Sequence, residues 1–358
     1  IELYHHLVRA GKYDEARELF RDRLTSPLYY QLGAYQTVIE LLRGLFPDGE
    51  GELPRLSGER AQGWTLNTLA ISYGRAGQPA AAVPLFQLGN EIDEKRGDKI
   101  NLAIGLGNLA NRNHELGQLT AAGENLRRSI ALCQEIEDRF REAIGHQEYG
   151  RLLATSGRWE EAAAELDASA KYNEEKNDLQ GLCIDWLYRA QAALLRGEGE
   201  VGGTAAQEAL RLAEETARTR YPHERDFVRV YWLLGWASVT TQAFAAAQEH
   251  LDEALRRCRA INLVEMEPAI LLTHARLAKA QGQVAASKRW AEEARQIAAR
   301  AGYVLALADI HNHLALLAWE GGELERAKEH AEAGRRYAWC NGPPFAYQVA
   351  LDEAERLL

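Results

Sequence analysis

Cysteine, proline and methionine are scarce in this chain. Of its 358 residues four are cysteine, nine are proline and one, Met266, is methionine. Cys133, Cys183, Cys258 and Cys340 form no C-x-x-C pair. Neither a disulfide framework nor a metal cluster is expected, and buried thiols in a reducing cytosol fit better. Little proline, with Ala, Leu, Glu, Arg and Gln dominant, predicts an all-α protein. Long apolar runs are missing too. None approaches the roughly 20 residues of a membrane span, and no signal peptide opens the chain, so the expected location is cytoplasmic, with no membrane partner. Positive charge is in deficit: 42 basic against 52 acidic residues leave a net charge of -10. That speaks against the basic stripe of a nucleic-acid binder. The chain opens on Ile1 and reads as a piece of a longer protein.

Catalytic signatures are equally sparse. There is no H-E-x-x-H, no G-x-S-x-G and no G-x-x-x-x-G-K-[ST]. His311 and His313 would point about 200° apart on a helix and share a metal poorly. Paired carboxylates such as Glu160-Glu161 read as solvated helix faces. No enzyme activity, cofactor or metal is therefore expected. One fragment stands out against this background: Gly197, Gly199 and Gly202 in GEGEVG spell G-x-G-x-x-G, the pattern of dinucleotide-binding loops. Such a loop should follow a strand and open a helix. This one follows a helical run from Leu182 to Leu195 and carries Glu198 and Glu200, which would repel phosphate.

What the chain does contain is a repeat. GQPAAAVPLF from Gly77, GQLTAAGENL from Gly117 and GRWEEAAAEL from Gly157 recur every 40 residues, as do GQVAASKRWA from Gly282 and GELERAKEHA from Gly322. Each has a small residue five after the glycine, and most have a large apolar residue nine after it. A step of 40 from Gly157 reaches Gly197; a step back from Gly282 reaches Gln242, where Ala247 and Leu251 keep the pattern. Seven units thus share one register, and the suspect glycines occupy a turn position. Because Ala206, Leu210 and Ala213 resume the pattern four residues late, an enlarged turn is expected at 197–202. The segments on either side of each glycine show apolar residues at helical spacing. Each unit therefore reads as two antiparallel helices of roughly 15 residues, about 22 Å each. Glycine ends the first helix in the left-handed conformation, and the small residue lets the second helix approach. Units of this kind stack to bury their faces.

The small residue seven before the glycine, the small residue five after, the large residue nine after and the small residue twelve after resemble the tetratricopeptide repeat. Those positions are Ala70, Ala82, Phe86 and Gly89 in one unit, and Gly150, Ala162, Leu166 and Ser169 in another. In a third they are Gly235, Ala247, Leu251 and Ala254. The common form repeats at 34; a 40-residue period resembles the long-helix variety. The resemblance implies a right-handed α-α superhelix, a tetratricopeptide solenoid, with about seven helix pairs over residues 60–340. Residues 1–47 read as degenerate repeats, 48–59 as a Pro/Gly-rich loop and 341–358 as a capping helix. The opening run resembles the segment that joins the ATPase core of bacterial STAND-type signalling proteins to their repeat arm. That likeness implies an N-terminal NTPase module in a parent protein.

By the same resemblance, residues ten and six before the turn glycine face a concave groove, with the one three before nearby. The candidate partner-binding residues are Asn67, Asn108, Asn111, Gln147, Arg151, Gln191, Trp232, Trp236, Arg276, Lys279, Asn312 and Trp319. Amides suit the backbone of an extended peptide, Arg151, Arg276 and Lys279 suit its carboxylates, and tryptophan is enriched in binding hot spots. Trp232 and Trp236, four apart, fit an inter-repeat core seam equally well. The function expected is recognition of a protein or peptide, as the sensing arm of a STAND-type protein. A free-standing peptide receptor or scaffold is the alternative, and a helical-toroid enzyme is disfavoured.

Overall fold

The computed structural model describes residues 1–358, apart from the side chains of Tyr30 and Gln31. Helices follow one another from end to end, with no strand among the described residues. At the N-terminus lie α1 (Glu2–Arg9), α2 (Tyr13–Leu19) and α3 (Tyr35–Arg43). Between α2 and α3 the helix widens to π geometry over Phe20–Leu24 and Ser26–Gln31. Pro27 falls in this stretch and can donate no backbone bond, which breaks the regular ladder. The Tyr4 hydroxyl donates to the Leu41 carbonyl at 2.6 Å and ties α1 to α3.

Seven pairs then follow, each a first (A) and a second (B) helix. They are α4 (Glu59–Arg75) with α5 (Pro79–Lys95), α6 (Lys99–Glu115) with α7 (Leu119–Glu135), and α8 (Arg139–Thr155) with α9 (Trp159–Lys176). Next come α10 (Leu179–Leu195) with α11 (Gly199–Thr219), and α12 (Glu224–Thr240) with α13 (Phe244–Ala260). The last two are α14 (Glu267–Ala280) with α15 (Val284–Ala301), and α16 (Val304–Glu320) with α17 (Leu324–Trp339). A short α18 (Gln348–Leu357) packs on α16 and α17. The fold is the tetratricopeptide-like solenoid that the repeat predicts.

Each A helix ends in a doubly hydrogen-bonded left-handed cap. In α4 the Gly77 N–H bonds the Gly74 carbonyl and the Gln78 N–H bonds the Tyr73 carbonyl, with Gly77 at φ 76. The one unit without glycine keeps the same cap: Gln242 sits at φ 60, with Ala243 N–H on the Ser238 carbonyl. The small positions are needed for approach. A Cβ on Gly235 would stand 2.5 Å from Leu251 Cδ2, across the pair α12/α13.

GEGEVG departs from the expectation of an enlarged turn. Gly197 caps α10 at φ 78 and α11 begins at Gly199, as promptly as in the other units. Gly202, five after the turn glycine, fills the small position: a Cβ there would meet Leu194 Cγ at 2.6 Å. The additional residues extend α11 to 21, at its far end. The apolar pattern misled because Ala206 stands where Phe86, Leu126, Leu166 and Leu251 stand in four other units.

The solenoid closes on itself. A Cβ on Gly77 would touch Val264 at 2.8 Å, one on Gly117 would touch Val304 at 2.5 Å, and one on Gly157 would touch Gln348 at 3.1 Å. These partners lie 187, 187 and 191 residues further on, which is one superhelical turn. Leu119, Trp159, Leu305 and Phe345 share one apolar cluster across that seam, and the Arg158 guanidinium lies 5.3 Å from the Phe345 ring. The turns of the early units (A-to-B) are thereby roofed by the loops of the late units (B-to-A). The concave groove thus becomes an axial channel.

Candidate ligand-binding channel

The A helices line this channel, and the repeat register decides which of their side chains reach it. Residues six before six of the seven turns do: Ile71, Asn111, Arg151, Gln191, Trp236 and Arg276 all line its chambers. So do the residues nine before: Asn108, Glu148, Tyr188, Leu233 and Thr273. Of the residues ten before, Leu187, Trp232 and Leu272 line the smaller chamber, whereas others lean into the seam between neighbouring A helices. Gln147 is buried there, donating to the Gly181 carbonyl and to Asp185, each at 2.9 Å. Asn312 is buried too, donating to the Ala350 carbonyl at 2.7 Å. Neither amide is open to a ligand, contrary to the expectation for the concave face. The inward stripe adds the residue nine before the turn to those the resemblance implied.

The remaining expected residues divide. Asn108 donates to Asn67 at 3.3 Å, but Asn67 lines a separate cavity beside Arg17 and Arg21. Trp232 and Trp236 pack at 5.6 Å, and the Trp232 indole N–H donates to Thr273 at 3.0 Å. They are both core seam and channel wall. Arg276 lies 5.7 Å from the Trp236 ring and 3.8 Å from Asp309. Lys279 pairs with Glu320 at 2.8 Å, outside the channel, and Trp319 is 58% exposed, also outside it.

Two chambers make up the channel, one of about 910 Å³ and one of about 180 Å³. Glu115, Arg151, Tyr188, Arg229, Glu265 and Met266 line both, and so form the partition between them. The partition is an ionic lattice. Arg112 holds Glu115 at 2.9 Å and reaches Glu265 at 3.7 Å, across the superhelical seam. Glu265 also takes Arg225 at 2.5 Å. Arg151 holds Glu148 at 2.7 Å and donates to Asn111 at 2.8 Å, while the Tyr188 hydroxyl donates to Glu148 at 2.8 Å. Arg151 and Arg229 lie 5.5 and 5.8 Å from the Tyr188 ring.

Sequence reasoning missed Glu265, and its signal was Pro268. By the register of the other units α14 should begin at Val264. A helix begun there would need a hydrogen bond from residue 268, which proline cannot give. The helix starts at Glu267 instead, placing Pro268 in its first turn. The freed residues Val264, Glu265 and Met266 form a turn whose carboxylate enters the channel.

Burial shapes the titration of these groups. Desolvation pushes Glu115 up to about 7, against the pull of Arg112. Glu265 suffers the same burial, yet Arg225 and Arg112 hold it below the ordinary carboxylate range. Burial also pushes Asp309 up to about 6, beside the Tyr347 hydroxyl that donates to it at 2.9 Å. Arg75 and Arg229 line the larger chamber with no carboxylate in ion-pair reach among the described residues. They make no direct ion pair, unlike Arg151, Arg276 and Lys279, although Arg75 acts on Glu265 and Arg229 on Asp226 and Glu265 at longer range.

Among the described residues no cluster of three metal-ligating side chains exists, and no helix is long and apolar enough to cross a membrane. No family model matches the chain, and no curated protein matches it in sequence. Solved structures do. The Rap protein, solved in complex with competence and sporulation factor, is similar over 99% of this chain and 96% of its own, at 15% identity and TM-score 0.63. A STAND protein with a tetratricopeptide repeat sensor, from Pyrococcus horikoshii, matches over 99% of this chain and 51% of its own, at 16% identity and TM-score 0.46. Aspartyl phosphate phosphatase F from Bacillus subtilis matches over 99% and 91%, at 13% identity and TM-score 0.34. At these identities the likeness is one of fold.

Proposed function

We propose that this chain is a non-enzymatic recognition module that takes a protein or peptide segment into its axial channel. The observation that carries this reading is the larger chamber of about 910 Å³, where the amides of Asn108 and Asn111 stand beside Arg75 and Arg229. Amides pair with an extended backbone, and arginines without carboxylates favour acidic groups on the segment. A solenoid relays such binding because each unit touches its neighbours and small rotations add along the array. In the fuller form of the proposal, the chain is the sensing arm of a bacterial STAND-type protein, acting in the cytoplasm, with an NTPase module N-terminal to it. A free-standing peptide receptor is the second reading, favoured by the likeness to the Rap protein along nearly the whole of both chains.

A catalytic reading finds little support. His114 and Thr155, 3.1 Å apart, are the pair in the channel most like a base and a nucleophile. The Thr155 hydroxyl donates to the Arg151 carbonyl at 3.0 Å, so the imidazole must donate to it. A general base needs the opposite arrangement.

The test is capture from lysate of the source cells, with the wild-type chain and the double variant Asn108→Leu, Arg229→Gln as baits. Circular dichroism would verify that the variant folds. A protein retained by the wild type and lost by the folded variant supports recognition in the channel. Equal retention by both places recognition elsewhere and refutes the reading.

A further inference from the structure

The seam that closes the solenoid joins two edges, and each edge also has a stretch with nothing against it. On the turn edge, Gly77, Gly117 and Gly157 are roofed, whereas a Cβ on Gly197, Gly282 or Gly322 would meet nothing within 4 Å. On the loop edge, the segments around Val264, Val304 and Phe345 do the roofing. The loops around Gly97 and Glu137, earlier in the chain, have no turn beneath them: a Cβ on Gly97 would likewise meet nothing.

Both bare stretches keep the side chains that the closed seam uses. Leu119, first residue of α7, is fully buried against the loop edge, and Leu305, second residue of α16, joins it in the same cluster. The matching first residues of α15 and α17 are Val284 and Leu324, which are 47% and 65% exposed. The matching second residues of α6 and α8 are Ile100 and Phe140, 47% and 46% exposed. Each pair is 40 residues apart, so the two pairs are in register. Their flanks are complementary in charge. Leu324 lies between Glu323 and Glu325, and Phe140 between Arg139 and Arg141. Isolated exposed apolar residues are ordinary; two pairs at the positions of an existing interface, with opposite charge around one facing pair, are not.

We propose that this surface binds a second copy of the chain, head to tail. The turns at 282 and 322 of one copy receive the loops at 97 and 137 of the next, repeating the internal seam between molecules. Val284 would meet Ile100 and Leu324 would meet Phe140. The ion pairs that Arg139 makes with Glu175, and Glu323 with Lys288 and Arg326, within one copy are exposed and weak enough to rearrange, while the half-buried Arg141–Asp138 pair stays in place. Such an interface is heterologous, so it leaves a free edge at each end and does not close at two copies. This inference is independent of what the channel binds.

Sedimentation velocity on the full chain tests it, from about 1 µM to about 1 mM, the span in which a weak self-association shows. The mass of the wild type should rise with concentration beyond that of a dimer and fall with added salt. Phe140→Asp and Leu324→Asp each leave one edge intact, so each alone should stay monomeric. Mixed in equal amounts they should form a dimer and stop there, because their intact edges match. Circular dichroism and thermal unfolding like the wild type would confirm that both variants fold. A wild type monomeric throughout, a wild type that stops at two, or association that survives both substitutions would overturn the proposal.

Discussion

Replacing glycine by alanine at a roofed turn and at a bare one separates the seam from the turn itself. Gly117 at φ 71 and Gly322 at φ 76 have the same backbone conformation. An alanine there costs about 1–2 kcal/mol in left-handed strain, offset by about 0.4–1 kcal/mol from a stiffer unfolded chain. Both substitutions should therefore lose about 1 kcal/mol from this source. They differ in what the methyl meets. At Gly322 there is open space, whereas at Gly117 the methyl stands 2.5 Å from Val304 Cγ1 and 2.9 Å from its Cβ. Val304 opens α16 and is β-branched, so it has little rotameric freedom to retreat. Relief must come from shifting the loop, at about 1–3 kcal/mol by the measure of overpacked cores. Gly117→Ala should thus cost about 2–4 kcal/mol in urea unfolding, and Gly322→Ala about 1. Adding Val304→Ala to Gly117→Ala should return part of the difference, a coupling that a double-mutant cycle reads directly. Small-angle scattering should show Gly117→Ala, and not Gly322→Ala, expanding the solenoid. Equal losses at the two turns with no coupling to Val304 would mean that the turns of one superhelical turn do not press on the loops of the next.

Three further outcomes follow from individual residues. Gln242→Gly should raise stability by about 1 kcal/mol in urea unfolding, since Gln242 at φ 60 is the one turn residue of the seven that bears a side chain in the left-handed region. Glu265→Gln should cost about 3–5 kcal/mol, the usual loss when one partner of a buried pair is removed; its exposed counterpart Glu323→Gln should cost about 1 kcal/mol or less. His313 is pushed down to about 3 by burial, and its Nε2–H must donate to Ser287 at 2.9 Å, because the Ser287 hydroxyl already donates to the Ala275 carbonyl. The unfolded chain binds a proton there near pH 6.5 and the folded chain does not. Stability should therefore fall as pH drops from about 6.5 toward 3, with a shallower slope in His313→Gln.

Local regularities were open to reading in the sequence. The 40-residue period and the small residues at Ala82, Ala162 and Ala247 specify which helices pair, because that contact is made within one unit. The position six before the turn was read correctly, since any helix packed along one flank turns that residue to the opposite one. The position ten before was read in part: Leu187, Trp232 and Leu272 line the smaller chamber. Gln147 and Asn312 lie on the flank that meets the neighbouring A helix, so their amides bond Asp185 and Ala350 instead of a ligand. Polar character alone cannot separate an amide that stitches two helices from one that awaits a peptide; the difference lies in a rotation of one residue about the helix axis.

Closure of the solenoid depends on contacts 187 residues apart, which no period of 40 announces. Its trace lies in the loops. Those at 96–99, 136–139 and 176–179 read RGDK, IEDR and KNDL, with Asp98, Asp138 and Asp178 capping the next helix through their side chains. Those at 261–264, 301–304 and 342–345 read INLV, AGYV and GPPF, and their helices start without a side-chain cap. The second set gives up the aspartate cap, worth about 1 kcal/mol each, in exchange for apolar contact with the turns beneath. α12 also starts without a side-chain cap, at His223, so it is the lost cap together with the apolar residues Val264, Val304 and Phe345 that marks where the superhelix meets its own previous turn. The same comparison explains the channel. Once the late loops roof the early turns, the inner faces of the A helices are walled from the side. Charges such as Glu265 and Arg112, far apart in sequence, are then brought to 3.7 Å in a space that Arg75 and Arg229 also line.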